Sequence, residues 1–309
     1  MKYFLGIDAG GTKTVSVVAN QEKVLARATA GSIKLMRVSE AEAEANLQAM
    51  LTTLREQAGI DLAEIVCTCV GLAGITVPRV QNWTRSALAE RVGGTILLCG
   101  DEEIALDAAF EGGPGVLVLA GTGSNIVGRS RDGQMFHVGG WGPVLADEGS
   151  GHWIGVQGLR AAFRALDRGE TIPLMRAIQR HWQVNTIDDV VDLGNRIPGP
   201  DFSQLAPVVA QCAQQGDPVA IEVLDLAGEE LARCALLAQS RIQAADGASA
   251  KARLAYSGSI LSHIERVRRA MLARVRQTLP QIDFRSDPVD PAMGAIWRAR
   301  QPEQRQPLQ

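Results

Sequence analysis

Two short apolar runs near the N-terminus, Tyr3 to Ile7 and Val15 to Ala19, are joined by the sequence Asp8-Ala-Gly10-Gly11-Thr12-Lys13-Thr14. The runs are rich in strand-forming residues, and the glycines between them predict a tight turn. Glycine lets several backbone N–H groups converge on an anion, and threonine hydroxyls add donors, so this turn can hold a phosphate. Asp8 ends the first strand and can hold a hydrated Mg²⁺.

The turn differs from the phosphate loop of P-loop proteins. Thr12 separates Gly11 from Lys13, and the residues that follow favour a strand rather than a helix. An ordinary hairpin turn, with no ligand, is an alternative explanation of the same residues.

The same pattern begins again after Gly115. The β-rich runs are Tyr3 to Ile7, Val15 to Ala19 and Val24 to Ala28 in the first copy, and Val116 to Ala120, Asn125 to Arg129 and Met135 to Val138 in the second. The second copy also has a glycine turn after its first run, Gly121-Thr122-Gly123-Ser124. A duplicated α/β lobe explains the repeat. Two such turns facing each other across a cleft would bind a triphosphate from both sides.

Helical and strand patterns alternate in the rest of the chain. We predict helices over Glu40 to Gln57, Val80 to Arg91, Glu102 to Phe110, Ile260 to Gln277 and Pro291 to Arg300, a mainly helical stretch over residues 151–245, and strands over Ile65 to Leu72, Thr95 to Cys99 and Arg253 to Tyr256. We expect an N-terminal lobe over residues 1–112, rejoined by the helix at 290–300, and a C-terminal lobe over residues 113–289. The Gln- and Pro-rich tail, residues 301–309, is expected to be frayed.

Composition and charge argue against several classes of protein. The 309 residues include 34 acidic and 31 basic side chains, a net charge of -3, so the chain lacks the basic surplus of a nucleic-acid binder. No apolar run approaches the ~20 residues that cross a bilayer. Asp8 interrupts the N-terminal apolar run before a signal peptide could form, so we expect a cytoplasmic protein with no membrane partner.

The cysteines are expected to be small buried side chains rather than ligands. They stand at positions 67, 69, 99, 212 and 234, inside apolar stretches. Cys67 and Cys69 share one face of a predicted strand, but no second pair completes a tetrahedral set, so a zinc or iron–sulfur site is not expected.

Further motifs lie along most of the chain. They are Asp8 to Thr14, Gly100-Asp101, Leu119 to Asn125, Gly139-Gly-Trp-Gly142, Asp147-Glu-Gly-Ser150, Gln214 to Pro218 and Ser257-Gly-Ser259. Together they resemble the N-acetylglucosamine kinase and BadF-type ATPase group of the actin/sugar-kinase/Hsp70 superfamily, and the Gly139 to Ser150 segment is the most specific. The resemblance implies an α/β, two-lobed actin-like ATPase (ribonuclease H-like) fold, with duplicated lobes and a central cleft.

The resemblance also implies a role for each matched position. ATP would be bound through its phosphates and its adenosine by Gly10, Gly11, Thr12, Lys13, Gly121, Thr122, Gly123, Ser124 and Gly258. The sugar would be bound by Asp101, Gly140, Trp141, Gly142 and Asp147, and Asp101 would accept the proton of the sugar's 6-hydroxyl. Trp141 offers a flat face for a pyranose ring, and the carboxylates accept hydrogen bonds from hydroxyls.

Each of these side chains has a structural alternative. Asp101 could cap the helix that begins at Glu102, and Trp141 could anchor the core. Asp147 could lie in a solvated turn before the next helix. Asp107 is a second candidate for the base, although we expect it on the second turn of a helix, away from the end of the strand.

The implied reaction is transfer of the γ-phosphoryl group of ATP, with Mg²⁺, to the 6-hydroxyl of N-acetylglucosamine. Where the family usually has an asparagine that contacts the sugar, this chain has Gly31-Ser-Ile-Lys-Leu-Met36, so glucosamine and N-acetylmuramic acid stay open as substrates. Two rival hypotheses are an ATPase activator of a 2-hydroxyacyl-CoA dehydratase and a non-catalytic ATP or sugar sensor or chaperone-like ATPase. A homodimer is one expected assembly.

Overall fold

The computed structural model describes residues 1–72, 74–170, 172–247 and 251–301, and these form two compact units. The first unit comprises Met1–Gly113 together with the chain from Val289 onward, and the second comprises Pro114–Pro288. The predicted frayed tail lies outside the described residues, apart from Gln301.

Strands and helices alternate along much of the chain. The strands are β1 (Tyr3–Ala9), β2 (Lys13–Ala19), β3 (Val24–Gly31), β4 (Ile65–Leu72), β5 (Thr95–Gly100), β6 (Gly115–Ala120), β7 (Ser124–Arg129), β8 (Met135–Val138), β9 (Arg253–Ser257) and β10 (Asp283–Phe284). The helices are α1 (Glu40–Ala58), α2 (Pro78–Ala89), α3 (Asp101–Phe110), α4 (Gly151–Asp167), α5 (Pro173–Trp182), α6 (Ile187–Gly194), α7 (Ala206–Gln214), α8 (Pro218–Asp246), α9 (Ser259–His263), α10 (Glu265–Thr278) and α11 (Pro291–Ala299).

The two units contain sheets with the same strand order. Among the described residues, one sheet runs β3-β2-β1-β4-β5 and the other runs β8-β7-β6-β9-β10. In each, the first strand pairs antiparallel with the second and parallel with the fourth, as β1 does with β2 and β4 and as β6 does with β7 and β9. The repeat of architecture predicted from the sequence is therefore confirmed.

The first sheet is buried on both faces, because its residues alternate between two cores. Leu5 and Ile7 of β1 pack in the cluster that includes Leu47 and Leu54 of α1. Phe4 packs in the opposite cluster, which holds Ile104 of α3, Ile296 of α11, Cys67, Cys69 and Cys99. Helix α11 therefore completes the first unit although it comes from the far end of the chain.

Two details differ from the sequence prediction. The single helix predicted over Ile260 to Gln277 is wrong, because the backbone leaves the helical region at Ile264 (φ -106°, ψ 82°), where α9 ends and α10 begins. Ile264 is buried, and no glycine or proline marks this break in the sequence. Strand β10 was not predicted, since two residues give no periodicity.

Most of the cysteines are buried as predicted, at positions 67, 69, 99 and 212, and Cys234 is half-buried. Within the described residues, no helix combines the length and apolarity that crossing a bilayer requires.

Candidate active site

The first glycine turn lies between β1 and β2. Gly11, Thr12 and Lys13 are exposed, and Lys13 is the first residue of β2. Thr14 differs from Thr12, because strand alternation turns its side chain inward, where it is fully buried. Its Oγ1 accepts a hydrogen bond from the N–H of Ile33 at 3.3 Å. Of the two hydroxyls, only that of Thr12 is therefore presented to a ligand.

Asp8 lies near the end of β1, directly before this turn. Burial, together with the charges of Asp101 and Asp290, raises the pKa of its carboxyl to about 7, while the charge of Lys13 opposes the shift. These carboxylates come from β1, from the start of α3 and from the residue before α11. The fold thus places concentrated negative charge beside the first glycine turn.

Asp101 is the first residue of α3 and follows β5 directly. The helix N-cap is Gly100, whose N–H donates to Oε1 of Glu103 at 3.0 Å. The alternative in which Asp101 caps a helix beginning at Glu102 is therefore wrong. The Oδ1 of Asp101 accepts the N–H of Glu102 at 3.1 Å, which orients the carboxyl group at the carboxyl end of the parallel strand. Ligands of open α/β sheets bind at such ends.

Asp107, the second candidate for the base, lies in the core. Its side chain is 1% exposed, and its Oδ2 accepts from Nε of Arg298 at 2.5 Å. Arg298 also donates to Oε2 of Glu103 at 2.8 Å. A carboxylate held inside an ion pair cannot reach a substrate hydroxyl, so the geometry favours Asp101 over Asp107.

The second glycine turn lies between β6 and β7, at the equivalent place in the second sheet. The N–H groups of Gly151 and His152, in the first turn of α4, donate to the carbonyls of Gly121 and Thr122 at 2.8 and 3.1 Å. Ser124 donates from Oγ to the carbonyl of Glu148 at 2.8 Å. The turn is therefore fixed both to α4 and to the segment that precedes it.

Gly258 also lies at this turn. It follows β9 with a φ of 97°, in the left-handed region that favours glycine. A β-carbon placed on Gly258 would stand 2.3 Å from the carbonyl oxygen of Ala120, the residue before Gly121. The structure thus brings Gly258 next to the second glycine turn, which is predicted to bind phosphate.

Trp141 is 72% exposed, so the alternative in which it anchors the core is wrong. It lies in a loop where Gly139, Gly140 and Gly142 all have positive φ. The N–H of Trp141 donates to the carbonyl of Ala146 at 3.2 Å, and the N–H of Ala146 donates back to the carbonyl of Gly142 at 3.0 Å. The indole is therefore presented to solvent from a turn that is closed by hydrogen bonds.

Asp147 follows this turn and is half-buried rather than fully solvated. Burial raises the pKa of its carboxyl, and hydrogen bonds from the backbone N–H groups of Gly142 and Ser124 partly offset the rise. A β-carbon placed on Gly123 would stand 2.8 Å from Oδ2 of Asp147. The second unit therefore brings Asp147 against the second glycine turn and against the loop that carries Trp141.

A model of the BadF/BadG/BcrA/BcrD ATPase family matches residues 5–299 of the chain. The chain belongs to this family.

Curated relatives of this BadF-type ATPase chain include an N-acetylmuramic acid/N-acetylglucosamine kinase from Clostridium acetobutylicum, 28% identical over 97% of this chain and 99% of the relative. A glucosamine kinase from Vibrio cholerae is 30% identical over 72% of this chain and 76% of the relative. Among solved structures, a candidate N-acetylglucosamine kinase from Chromobacterium violaceum superposes with a TM-score of 0.70 at 26% identity, over 96% of this chain and 98% of that one. The predicted family and actin-like fold class are confirmed.

Several neighbours of the site in this BadF-type ATPase chain were not predicted. Asp290 caps α11 through a bond from the N–H of Ala292 to its Oδ1, and its Oδ2 accepts from Arg27 at 2.7 Å. The Asp290-Pro291 pair predicts a helix start, but no sequence signal places it near Asp8. Ser32 and Arg37 beside the first turn were missed as well, because only the folded loop brings them there.

Proposed function

We propose that the chain is an ATP-dependent kinase that phosphorylates an amino sugar, with N-acetylglucosamine and its 6-hydroxyl as the preferred substrate and acceptor. The observation that carries the proposal is the glycine turn at the same place in both sheets, between the first and second strands. Each antiparallel pair needs a connecting turn, but both turns here combine glycine with threonine, as expected for a triphosphate that takes N–H and hydroxyl donors from two turns. The kinase names of the relatives support the same reaction class.

In this proposal each turn binds part of ATP. Gly10, Gly11, Thr12 and Lys13 hold phosphate oxygens in the first unit, and Gly121, Thr122, Gly123 and Ser124 hold them in the second. Gly258 leaves space for the adenosine, because it has no side chain and lies against the residue before Gly121. Phosphoryl transfer requires mainly alignment and neutralisation of charge, and backbone donors fixed in tight turns supply both.

The residues around Asp8 fit a divalent cation. Its carboxyl is buried beside the negative charges of Asp101 and Asp290, and a cation would relieve that repulsion. Within residues 1–72, 74–170, 172–247 and 251–301, no three His, Cys, Asp or Glu side chains stand close enough to ligate a metal directly. Asp8 would therefore hold Mg²⁺ through water molecules, as this ion commonly requires, and the ion would neutralise phosphate charge.

Asp101 is the proposed general base. Its carboxyl group stands at the end of β5, and it makes no ion pair within the described residues. It would orient the 6-hydroxyl of the sugar and accept its proton as the new P–O bond forms.

Trp141, Gly140, Gly142 and Asp147 are the proposed sugar contacts in the second unit. The exposed indole supplies a stacking face, and the half-buried carboxylate of Asp147 accepts hydroxyl hydrogen bonds. The glycines keep the loop in its positive-φ conformation.

A coupled ADP-release assay tests this function. The purified chain with MgATP is offered N-acetylglucosamine, glucosamine, N-acetylmuramic acid, glucose and no sugar, and the product is identified by mass spectrometry and NMR. We expect ADP and sugar 6-phosphate in equal amounts with at least one amino sugar. ADP release at the same rate with and without sugar would overturn the proposal.

A further inference from the structure

Arg37 lies beside the first glycine turn. A β-carbon placed on Gly11 would stand 4.0 Å from Nε of Arg37. The side chain is exposed, and its guanidinium makes no ion pair or hydrogen bond with any residue in the part of the chain that the structure describes. Two other arginines of this unit pair with carboxylates, Arg27 with Asp290 and Arg298 with Asp107. A cation with unused N–H donors therefore stands next to a turn built to bind an anion.

The loop that carries Arg37 is fixed to this turn by two hydrogen bonds, one buried and one partly buried. The hydroxyl of Ser32, which is 4% exposed, donates to the carbonyl of Gly10 at 2.9 Å. The N–H of Ile33, which is 2% exposed, donates to the buried Oγ1 of Thr14 at 3.3 Å. Because one of these bonds is buried and the other is partly buried, they hold the loop against the turn.

Further bonds hold the loop on its other side. The side-chain amide of Asn46 in α1 donates to the carbonyl of Ser32 at 2.9 Å. The N–H groups of Arg37 and Val38 both donate to the carbonyl of Lys34, at 2.8 and 3.2 Å, and form a tight turn. The backbone of Arg37 is thus placed before any ligand arrives, which lowers the entropic cost of using its side chain.

We propose that Arg37 is a further residue of the active site and that it binds phosphoryl oxygens of the nucleotide. This inference rests on the proposed function. A planar guanidinium can donate two parallel hydrogen bonds to two phosphate oxygens. A positive charge fixed beside the transferred phosphoryl group stabilises the transition state, in which negative charge moves between its oxygens. A carboxylate on an acidic amino sugar offers the same oxyanion chemistry. The phosphate is favoured because Nε of Arg37 lies beside Gly11 of the glycine turn.

Nucleotide binding without sugar gives the first test. Calorimetry is carried out with MgATP and with MgADP on the wild type, Arg37→Gln, Arg37→Lys and Arg55→Gln. Arg55 is the matched control, because its guanidinium also has no partner among the described residues and it lies about 24 Å along α1 from Ser39. We expect Arg37→Gln to weaken ATP binding about tenfold, ADP binding clearly less, and Arg37→Lys to lie between. Unchanged ATP affinity in Arg37→Gln would overturn the inference.

Turnover gives the second test, and it shows whether Arg37 binds the phosphate of the nucleotide or the carboxylate of an acidic sugar. With N-acetylglucosamine and with N-acetylmuramic acid alike, we expect Arg37→Gln to lower kcat about 10²-fold, while Arg55→Gln stays at the wild-type rate. A loss of kcat seen only with N-acetylmuramic acid would overturn the assignment to phosphate, because the guanidinium would then bind the carboxylate of the sugar. If the wild type shows no sugar-dependent turnover, the proposed function fails, and ATP binding still decides the role of Arg37.

Discussion

The Nε of Arg298 lies 2.5 Å from Oδ2 of Asp107, and this ion pair joins α11 to α3 inside the first unit. Burial on its own would lower the pKa of Arg298, but the charges of Asp107 and Glu103 outweigh it and raise the pKa. The guanidinium therefore stays charged at every accessible pH. Because α11 comes from the end of the chain, this pair holds the last helix against the helix that begins with Asp101.

Arg298→Met should destabilise the protein strongly, because it leaves the buried carboxylate of Asp107 without the guanidinium. Breaking a buried pair on one side typically costs about 3–5 kcal/mol. Arg233→Met is the matched control, since Arg233 pairs with Glu230 on the surface and is 70% exposed, and exposed pairs contribute about 1 kcal/mol or less. Urea-unfolding midpoints measure both variants. Equal midpoints for Arg298→Met and the control would show that the pair does not hold α11.

Asp8→Asn should stabilise the Mg²⁺-free protein above neutral pH. The carboxyl of Asp8 has a pKa of about 7 in the folded chain against an ordinary value of 3.8. Between these two pH values Asp8 is ionised in the unfolded chain but still protonated in the folded chain. The free energy of unfolding therefore falls as pH rises from about 4 to about 7. Above pH 7 the ionised Asp8 lowers the free energy of unfolding by on the order of 4 kcal/mol, and the uncharged asparagine removes this loss.

The measurement is the unfolding midpoint of Asp8→Asn and wild type at several pH values, with a chelator and constant ionic strength. The difference between them should be near zero at pH 4, grow up to about pH 7 and stay constant above it. A difference that does not change with pH would contradict the raised pKa of Asp8. The same variant should lose sugar-dependent turnover, so stability and activity change in opposite directions.

Local patterns predicted the strands well where one face or both faces are buried. The bounds predicted for Ile65 to Leu72 and Met135 to Val138 are those of β4 and β8. The break at Ile264 could not be predicted, because no glycine or proline marks it and the helical pattern of the sequence continues through it.

Candidate site residues could be proposed from the sequence where they are close along the chain, and not where distant segments meet. Gly10 to Lys13 and Gly121 to Ser124 were proposed as phosphate-binding turns because each turn is continuous in sequence. Asp290 acts on Asp8 from the far end of the chain, through the packing of α11 on the first sheet. No local pattern carries that information.

Trp141→Ala should raise the KM for the sugar about tenfold and leave the KM for ATP nearly unchanged, because a stacking face serves only the sugar ring. The indole is 72% exposed, so the unfolding midpoint should change little. Val144→Ala is the control, since Val144 is 91% exposed at the tip of the same turn and has no assigned contact. Equal losses of affinity for sugar and ATP in Trp141→Ala would show that Trp141 maintains the structure of the loop and does not stack on the sugar.

Asp101→Asn should lower kcat about 10²-fold or more, the usual scale for the loss of a general base, because asparagine keeps the size of the side chain but cannot accept the proton. ATP affinity, measured by calorimetry, and the unfolding midpoint should change little. Gly100 caps α3, so the substitution does not remove a helix cap. Asp61→Asn is the matched control: Asp61 caps a short helical turn through the N–H of Ala63, and asparagine caps equally well. Near-normal kcat in Asp101→Asn, with unchanged stability in both variants, would remove Asp101 from the chemistry and leave the base to be sought elsewhere.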